Sequence, residues 1–259
     1  MRLRVDLTAS VAKDPQQAEL NEDAWAANEP GTCIAVADGA SESYDSRAWA
    51  QLLVRAYVQD QGISAQWVAD RVQAYLATVD YLSLSWSQQA GFDRGSFGTL
   101  LGLGLAANGR DAEVLAIGDS LAVHVRQNVL VASFPFTEAE QLDARPQLLS
   151  TLSAANDFVS DSEFFKADSS CTWVLEPGDL IFLVTDAVGH WLLSEAQGGN
   201  AVQVLSGIDS LEDFESLVVA MRQERRMRLD DSTLIRVVVD DEEDETDAKK
   251  GADEKAEFP

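Results

Sequence analysis

Polar and apolar residues alternate at the start of the chain. Leu3, Val5 and Leu7 interleave with Arg4, Asp6 and Thr8, the period-two pattern of a half-buried strand. A polar loop over residues 13–20 follows, then a short strand at Trp25-Ala26 that turns at Asn28-Glu29-Pro30-Gly31. Residues 33–37 read as a buried strand. Helical spacing takes over next: Trp49, Leu52, Leu53, Ala56 and Tyr57 share one face of a helix over 45–61. Ser64 caps a second helix, in which Trp67, Val68, Val72, Tyr75, Leu76 and Val79 recur. A glycine-rich loop spans 91–98. Strand-like runs then occupy 99–107, 113–117, 121–126 and 129–134, with tight turns at Gly118-Asp119-Ser120 and Gln127-Asn128. Residues 135–168 carry no clear period and read as a surface insertion with some helix. Residues 171–175 and 180–184 read as a hairpin-like pair around Glu176-Pro177-Gly178-Asp179. Two or three helices fill 188–228, one of them amphipathic over 211–227, and residues 233–239 form a last strand. Strands following strands in this way predict an α+β fold, with antiparallel sheets and helices packed outside them.

The chain has 259 residues, 46% of them apolar, enough for one large domain. Its formal net charge of −25 argues against nucleic-acid partners and anionic membrane surfaces. Part of that charge is local: residues 240–259 hold ten acidic residues and three lysines and read as a disordered acidic tail. Cys33 and Cys171 both fall in apolar runs and read as structural thiols. The first residues lack the apolar block of a signal peptide, and no run approaches the roughly 18 apolar residues of a membrane span. A cytoplasmic protein is expected.

Four acidic motifs adjoin these apolar runs: Asn21-Glu22-Asp23, Asp38-Gly39, Thr185-Asp186 and Asp230-Asp231-Ser232-Thr233. A carboxylate at the mouth of a buried strand is costly unless something positive neutralises it. Cations are few here, with 19 Lys and Arg against 44 Asp and Glu, and there are only two histidines. A hard divalent metal is the economical neutraliser, because it prefers oxygen ligands. Two such ions about 4 Å apart can hold a water, lower its pKa and clamp a phosphoryl group. Glu22, Asp38, the Gly39 carbonyl, Asp186 and Asp230 supply the ligand inventory, with Asp23 and Asp231 as acceptors behind them. Gly39, lacking Cβ, lets its carbonyl approach closely. Each motif alone is also an ordinary turn, and an unrelated β protein binding Ca²⁺ structurally would use the same residues.

The ordered set Asn21-Glu22-Asp23, Val36-Ala37-Asp38-Gly39, Gly98-Thr99, Ile117-Gly118-Asp119-Ser120, Val184-Thr185-Asp186 and Asp230-Asp231-Ser232-Thr233 resembles the PP2C-type (PPM) metal-dependent serine/threonine phosphatases, the bacterial branch most of all. The resemblance covers residues 1–239. It implies a four-layer α-β-β-α sandwich and a binuclear Mn²⁺ or Mg²⁺ centre at which water attacks a phosphoserine or phosphothreonine of a protein directly. Asp38 would bridge both ions. Glu22 and the Gly39 carbonyl would serve one, and Asp186 and Asp230 the other. Asp119 would help hold a third, weaker ion, and Asp23 would hold the water. Residues 135–168 would be the flap beside the site. A cognate Ser/Thr kinase is the expected signalling partner.

Three positions depart from the family pattern. Ala18 stands where the family places a phosphate-gripping arginine, and Lys13 in the same loop is a candidate substitute against the simpler reading of a solvated lysine. Ala40 stands where many members have a histidine acid. His190 stands where many have an aspartate, and reads either as a third-metal ligand or as a packed helix residue. His124, inside a strand run, reads as structural. The missing arginine also leaves open a silent PP2C-like module that binds a phosphoprotein or kinase.

Overall fold

The computed structural model describes residues 1–241 apart from 30, 42, 162, 168 and 197–199. The acidic tail expected over 240–259 therefore lies, from residue 242 on, outside the described residues. In chain order the elements are β1 (Arg2–Val11), β2 (Ala24–Ala27), β3 (Cys33–Ala37), α1 (Ser46–Gln59), α2 (Ala65–Leu76), α3 (Trp86–Phe92), β4 (Phe97–Gly98), β5 (Leu100–Leu105), β6 (Asp111–Ile117), β7 (Leu121–Arg126), β8 (Val129–Phe134), β9 (Leu149–Ser150), α4 (Phe164–Ala167), β10 (Ser170–Val174), β11 (Leu180–Val184), α5 (Asp186–Ala196), α6 (Ala201–Ser206), α7 (Leu211–Gln223) and β12 (Ser232–Asp240). Short 3-10 turns lie between some of them, including Pro15–Leu20 and Ala139–Asp143.

Two five-stranded antiparallel sheets form the centre. One runs β1-β12-β11-β7-β8, the other β10-β6-β5-β3-β2. Three apolar layers hold them. Ile34, Val36, Leu101, Leu183, Ile235 and Val237 fill the space between the sheets. Trp49, Leu53, Trp67 and Tyr75 pack α1 and α2 onto the outer face of the β3–β5 side. Trp191, Leu192, Leu205, Phe214 and Val218 pack α5, α6 and α7 onto the opposite outer face. This is the expected α-β-β-α sandwich. Burial of these side chains is the main favourable term in folding.

Local signals place the helix starts. Ser64 Oγ accepts the Trp67 N–H at 3.1 Å, the predicted cap. Asp45 caps α1 through the Ala48 N–H. Gln127 and Asn128 take positive φ of 52° and 62°, as the tight β7–β8 turn requires.

Three expectations about organisation are corrected. The pair 171–175 and 180–184 is not a hairpin: β10 pairs with β6, and β11 sits between β7 and β12. The reason is burial. Most of β11 is buried, so it needs a neighbour on each edge, whereas β10 alternates and closes a sheet edge. The Gly118-Asp119-Ser120 turn does not close a hairpin either, because β6 and β7 belong to different sheets. Residues 86–92 form α3, opened by a Ser85–Gln88 capping box that the glycine-rich reading of 91–98 did not include. The 135–168 segment is irregular, as expected, yet buries Leu142, Leu149 and Val159 in the outer cores.

Candidate active site

Strand register brings the acidic motifs to one end of the sandwich. Ala24 pairs with Ala37, so Asp23 and Asp38 flank the same end of the β2–β3 ladder. The Asp38 N–H donates to Thr99 Oγ1 at 2.8 Å, and the Thr99 N–H donates to the Asp38 carbonyl at 2.8 Å. Leu100 pairs with Ile117, which carries Asp119 to that end. Leu121 pairs with Val184 and Val184 with Leu234, which adds Asp186 and Asp230-Asp231.

Asp38, Asp119, Asp186 and Asp230 line a single cavity of about 260 Å³ together with Ala40, Ser41, Thr99, Pro146 and Leu148. Pro146 and Leu148 come from the 135–168 segment, which thereby forms an apolar wall of the site. A larger hollow of about 620 Å³ lies between the β7–β8 turn, α5 and α6 and holds none of these groups.

The electrostatics are those of crowded, buried acids. Burial and the neighbouring carboxylates of Asp23, Asp186, Asp119 and Asp230 hold the Asp38 carboxyl well above its ordinary range. Asp119 is pushed up to about 6 by burial and Asp186, with Arg228 pulling the other way. Burial and Asp230 raise Asp186, against Arg228 at 3.4 Å. Burial, Asp231 and Glu22 raise Asp230. Asp23 is pushed up to about 8, chiefly by burial. Its Oδ2 accepts from Thr233 Oγ1 at 2.6 Å and Thr185 Oγ1 at 3.1 Å. Asp23 Oδ1 and Asp186 Oδ1 are buried with no hydrogen-bond partner.

Glu22 behaves differently. Burial pushes its carboxyl up, but hydrogen bonds from Lys13, Ser41 and Ser46 outweigh this and hold it below its ordinary range. Lys13 Nζ donates to Glu22 Oε2 at 2.8 Å and to Ser41 Oγ at 2.6 Å. Ser46, the first residue of α1, donates to Glu22 Oε1. Lys13 is thus tethered to Glu22 and Ser41, although its side chain stays 36% exposed. Among the described residues no three His, Cys, Asp or Glu side chains form a ready-made metal cage. Asp38, Asp119, Asp186 and Asp230 line one cavity, while Glu22, Asp23 and Gly39 are not among its lining residues.

Gly39 sits where a Cβ would meet the Ser46 backbone at 2.9 Å and the Glu22 carbonyl at 3.0 Å, so only glycine fits between them. Gly118 turns at φ +105°, and a Cβ there would meet Thr99 Cγ2 at 2.6 Å. Asp231, expected as an acceptor behind the metal ligands, accepts from the backbone of the 13–22 loop. Its two oxygens take the backbone N–H groups of Lys13 and Glu22, both at 2.7 Å.

The remaining polar residues separate from the cavity. His124 is buried, bonds Asp179 at 2.8 Å and stacks on Trp173, as the structural reading expects. His190, on α5, lies 3.9 Å from Asp143 and does not line the cavity. Ala18 is exposed on the 3-10 turn Pro15–Leu20. Cys33 and Cys171 are free thiols. Sequence reasoning passed over Arg228, which bonds the Leu142 carbonyl, Asp143 and Asp186 and so ties the 135–168 segment to the site. An arginine two residues before Asp230 was the only signal for it. No described helix is long and apolar enough to cross a membrane.

No protein-family model and no curated protein matches the chain. Solved structures do. The serine/threonine phosphatase PstP/Ppp of Mycobacterium tuberculosis superposes with TM-score 0.61 at 16% identity, over 93% of this chain and 100% of that one. The PstP catalytic domain in complex with two manganese ions gives TM-score 0.56 at 17% identity, over 92% and 99%. PppA, described as a key regulatory component of T6SS in Pseudomonas aeruginosa, gives 0.53 at 24% identity, over 92% and 98%. At these identities the likeness establishes the fold. It is that of the PP2C-type bacterial serine/threonine phosphatases.

Proposed function

We propose that this chain is a metal-dependent phosphatase that hydrolyses phosphoserine and phosphothreonine in proteins, using two Mn²⁺ or Mg²⁺ ions. The observation that carries the reading is the cavity itself, where four carboxylates from four separate strand junctions face one space. The fit to a hard cation is supported by chemistry within the chain. The donors are all oxygens, their carboxyls are raised by burial first and by one another second, and two buried oxygens lack any partner. Glu22, Asp38, the Gly39 carbonyl, Asp186 and Asp230 would hold the two ions, with Asp119 beside a weaker third. Bound there, such ions supply Lewis-acid polarisation of the phosphoryl oxygens and a nucleophile from water at neutral pH.

The chain's own residues do the rest. Thr185 and Thr233 fix Asp23 Oδ2, which leaves Oδ1 to accept a hydrogen bond or proton from the attacking water. Gly39 keeps its carbonyl free of side-chain obstruction between α1 and Glu22. Pro146 and Leu148 exclude bulk water from one side. Ala40 offers no acid, so the leaving oxygen takes its proton from water. A phosphorylated protein is the substrate class, a cognate Ser/Thr kinase the signalling partner, and the cytoplasm the site of action.

One observation favours a second reading. Both Glu22 oxygens are engaged, by Lys13 and Ser46, as they would be in a silent module that binds phosphoproteins. The two are separated with p-nitrophenyl phosphate and a phosphopeptide panel at saturating Mn²⁺. Turnover supports the phosphatase. Tight phosphopeptide binding without phosphate release supports the module and overturns the enzyme.

A further inference from the structure

A phosphomonoester entering an acidic cavity needs a cation at its rim, and three basic residues stand close enough to matter. Arg222 is turned away: it donates to the Ala12 carbonyl, the Asp230 carbonyl and Ser232 Oγ, behind the acids. Arg228 is engaged by Leu142, Asp143 and Asp186. Lys13 is placed otherwise. Its ammonium bonds Ser41 Oγ at 2.6 Å, and Ser41 lines the cavity. An ammonium has three donors, and among the described residues Glu22 and Ser41 take one each. Its backbone is fixed to the site by Asp231 Oδ1 at 2.7 Å. Asp230, which lines the same cavity, also feels its charge.

We propose that Lys13 is the phosphate-binding residue of this site, held in reserve on Glu22 and Ser41. The idea rests on the phosphatase reading for its phosphate ligand and for the cation at Glu22, but not for turnover. When a divalent cation takes Glu22, the Lys13 ammonium loses its carboxylate partner and keeps Ser41. Lys13 itself lines the neighbouring hollow beside Asp231, and Ser41 ties its ammonium to the rim of the acidic cavity, where a charge-assisted hydrogen bond to phosphate would replace the one to Glu22. No cation is needed at Ala18, because the loop places one by another route. The substitution has a chemical signature: a lysine makes a single point contact where a guanidinium would make two parallel ones, so inorganic phosphate and small monoesters are gripped without a preferred orientation.

The test is phosphate binding to the full chain loaded with Mn²⁺, measured by calorimetry for the wild type, Lys13→Ala, Lys13→Gln and Lys13→Arg. Mn²⁺ affinity and thermal midpoint are measured on the same samples. Removing the ammonium is expected to weaken phosphate binding about tenfold, with Mn²⁺ affinity equal or higher because Glu22 is released. Lys13→Arg restores most of the binding. In steady state, KM rises while kcat changes less. Phosphate affinity within twofold of wild type in both folded neutral variants overturns the proposal. So does a loss of Mn²⁺ affinity that accounts for the loss of phosphate, since Lys13 would then act only through Glu22. A wild type that binds phosphate through Lys13 but turns over no ester removes the phosphatase reading and leaves this inference standing.

Discussion

Asp231 Oδ2 accepts the backbone N–H of Glu22 at 2.7 Å across the junction between the two sheets. Its other oxygen accepts the Lys13 N–H. One buried side chain ahead of β12 therefore sets the loop that carries Glu22 and Lys13. Asp231→Ala leaves two backbone donors without an acceptor, at a cost on the order of 3 kcal/mol. The melting temperature should fall by roughly 10 °C, and Mn²⁺ affinity should fall with it. Asp231→Asn keeps one good acceptor and should lose less. Equal melting temperatures for wild type and Asp231→Ala would refute the clamp.

Asp38 lies among four other carboxylates, so its charge opposes folding whenever cations are absent. Asp38→Asn should therefore stabilise the chain in EDTA, by about 1 kcal/mol, while abolishing turnover in Mn²⁺. Asp186→Asn should behave alike, with a smaller gain because Arg228 already offsets part of the repulsion. Denaturant unfolding in EDTA, paired with an assay in Mn²⁺, reads both effects. A variant that loses stability and activity together would mark these carboxylates as structural.

Burial, with the same crowding, sets a pH dependence for the metal-free chain. Asp23 is raised to about 8 and Asp119 to about 6, above the ordinary value near 4. The folded state then binds more protons than the unfolded state between those limits, so stability falls as pH rises through 5 to 8. Mn²⁺ replaces the protons and should flatten or reverse that slope. Melting temperatures in EDTA and in Mn²⁺ across this window check the sign. A metal-free melting temperature that climbs with pH would contradict the raised values assigned to burial and repulsion.

Much of the acidic cavity is legible in the sequence. Asp38, Asp186 and Asp230 stand where apolar runs begin or end, and a strand end is where a chain can present an acid without burying it fully. Antiparallel sheets with helices outside them followed from strands succeeding strands, while the four-layer sandwich was implied by the family resemblance. What local pattern could not show was partnership. Glu176-Pro177-Gly178-Asp179 has hairpin composition, yet the sheet edges of β11 are taken by β7 and β12. Gly118-Asp119-Ser120 is a turn in sequence and a crossing between sheets in space. Lys13 and Glu22 are nine residues apart with no period linking them, so their ion pair is a product of the loop that Asp231 fixes. A solvated lysine and a tethered one have the same sequence signature.

Asp179 anchors the end of the sandwich remote from the acids. Its carboxylate is nearly inaccessible, and it accepts from Arg126 Nε and Nη2, His124 Nε2 and the Glu176 N–H, each at 2.8 Å. Burial alone would raise its pKa, but the Arg126, Glu176 and His124 contacts win and hold it down at about 2. The folded value lies below the unfolded one, so this network contributes stability above about pH 4 and loses it as pH falls through about 2. Asp179→Ala leaves His124 without its acceptor and Arg126 with only Glu176 and the Val174 carbonyl, and should cost on the order of 3 kcal/mol at neutral pH. It should also remove part of the acid-induced loss of stability that the wild type shows between pH 4 and 2. Asp179→Asn keeps the shape and one acceptor, and should fall between the two. Mn²⁺-dependent turnover at neutral pH, measured well below the melting temperature, should be unchanged in both variants, because none of these residues lines the acidic cavity. Urea midpoints at pH 7 and pH 3 test this directly. If Asp179→Ala shifted both midpoints equally, the charge on Asp179 would not be what stabilises this end of the fold.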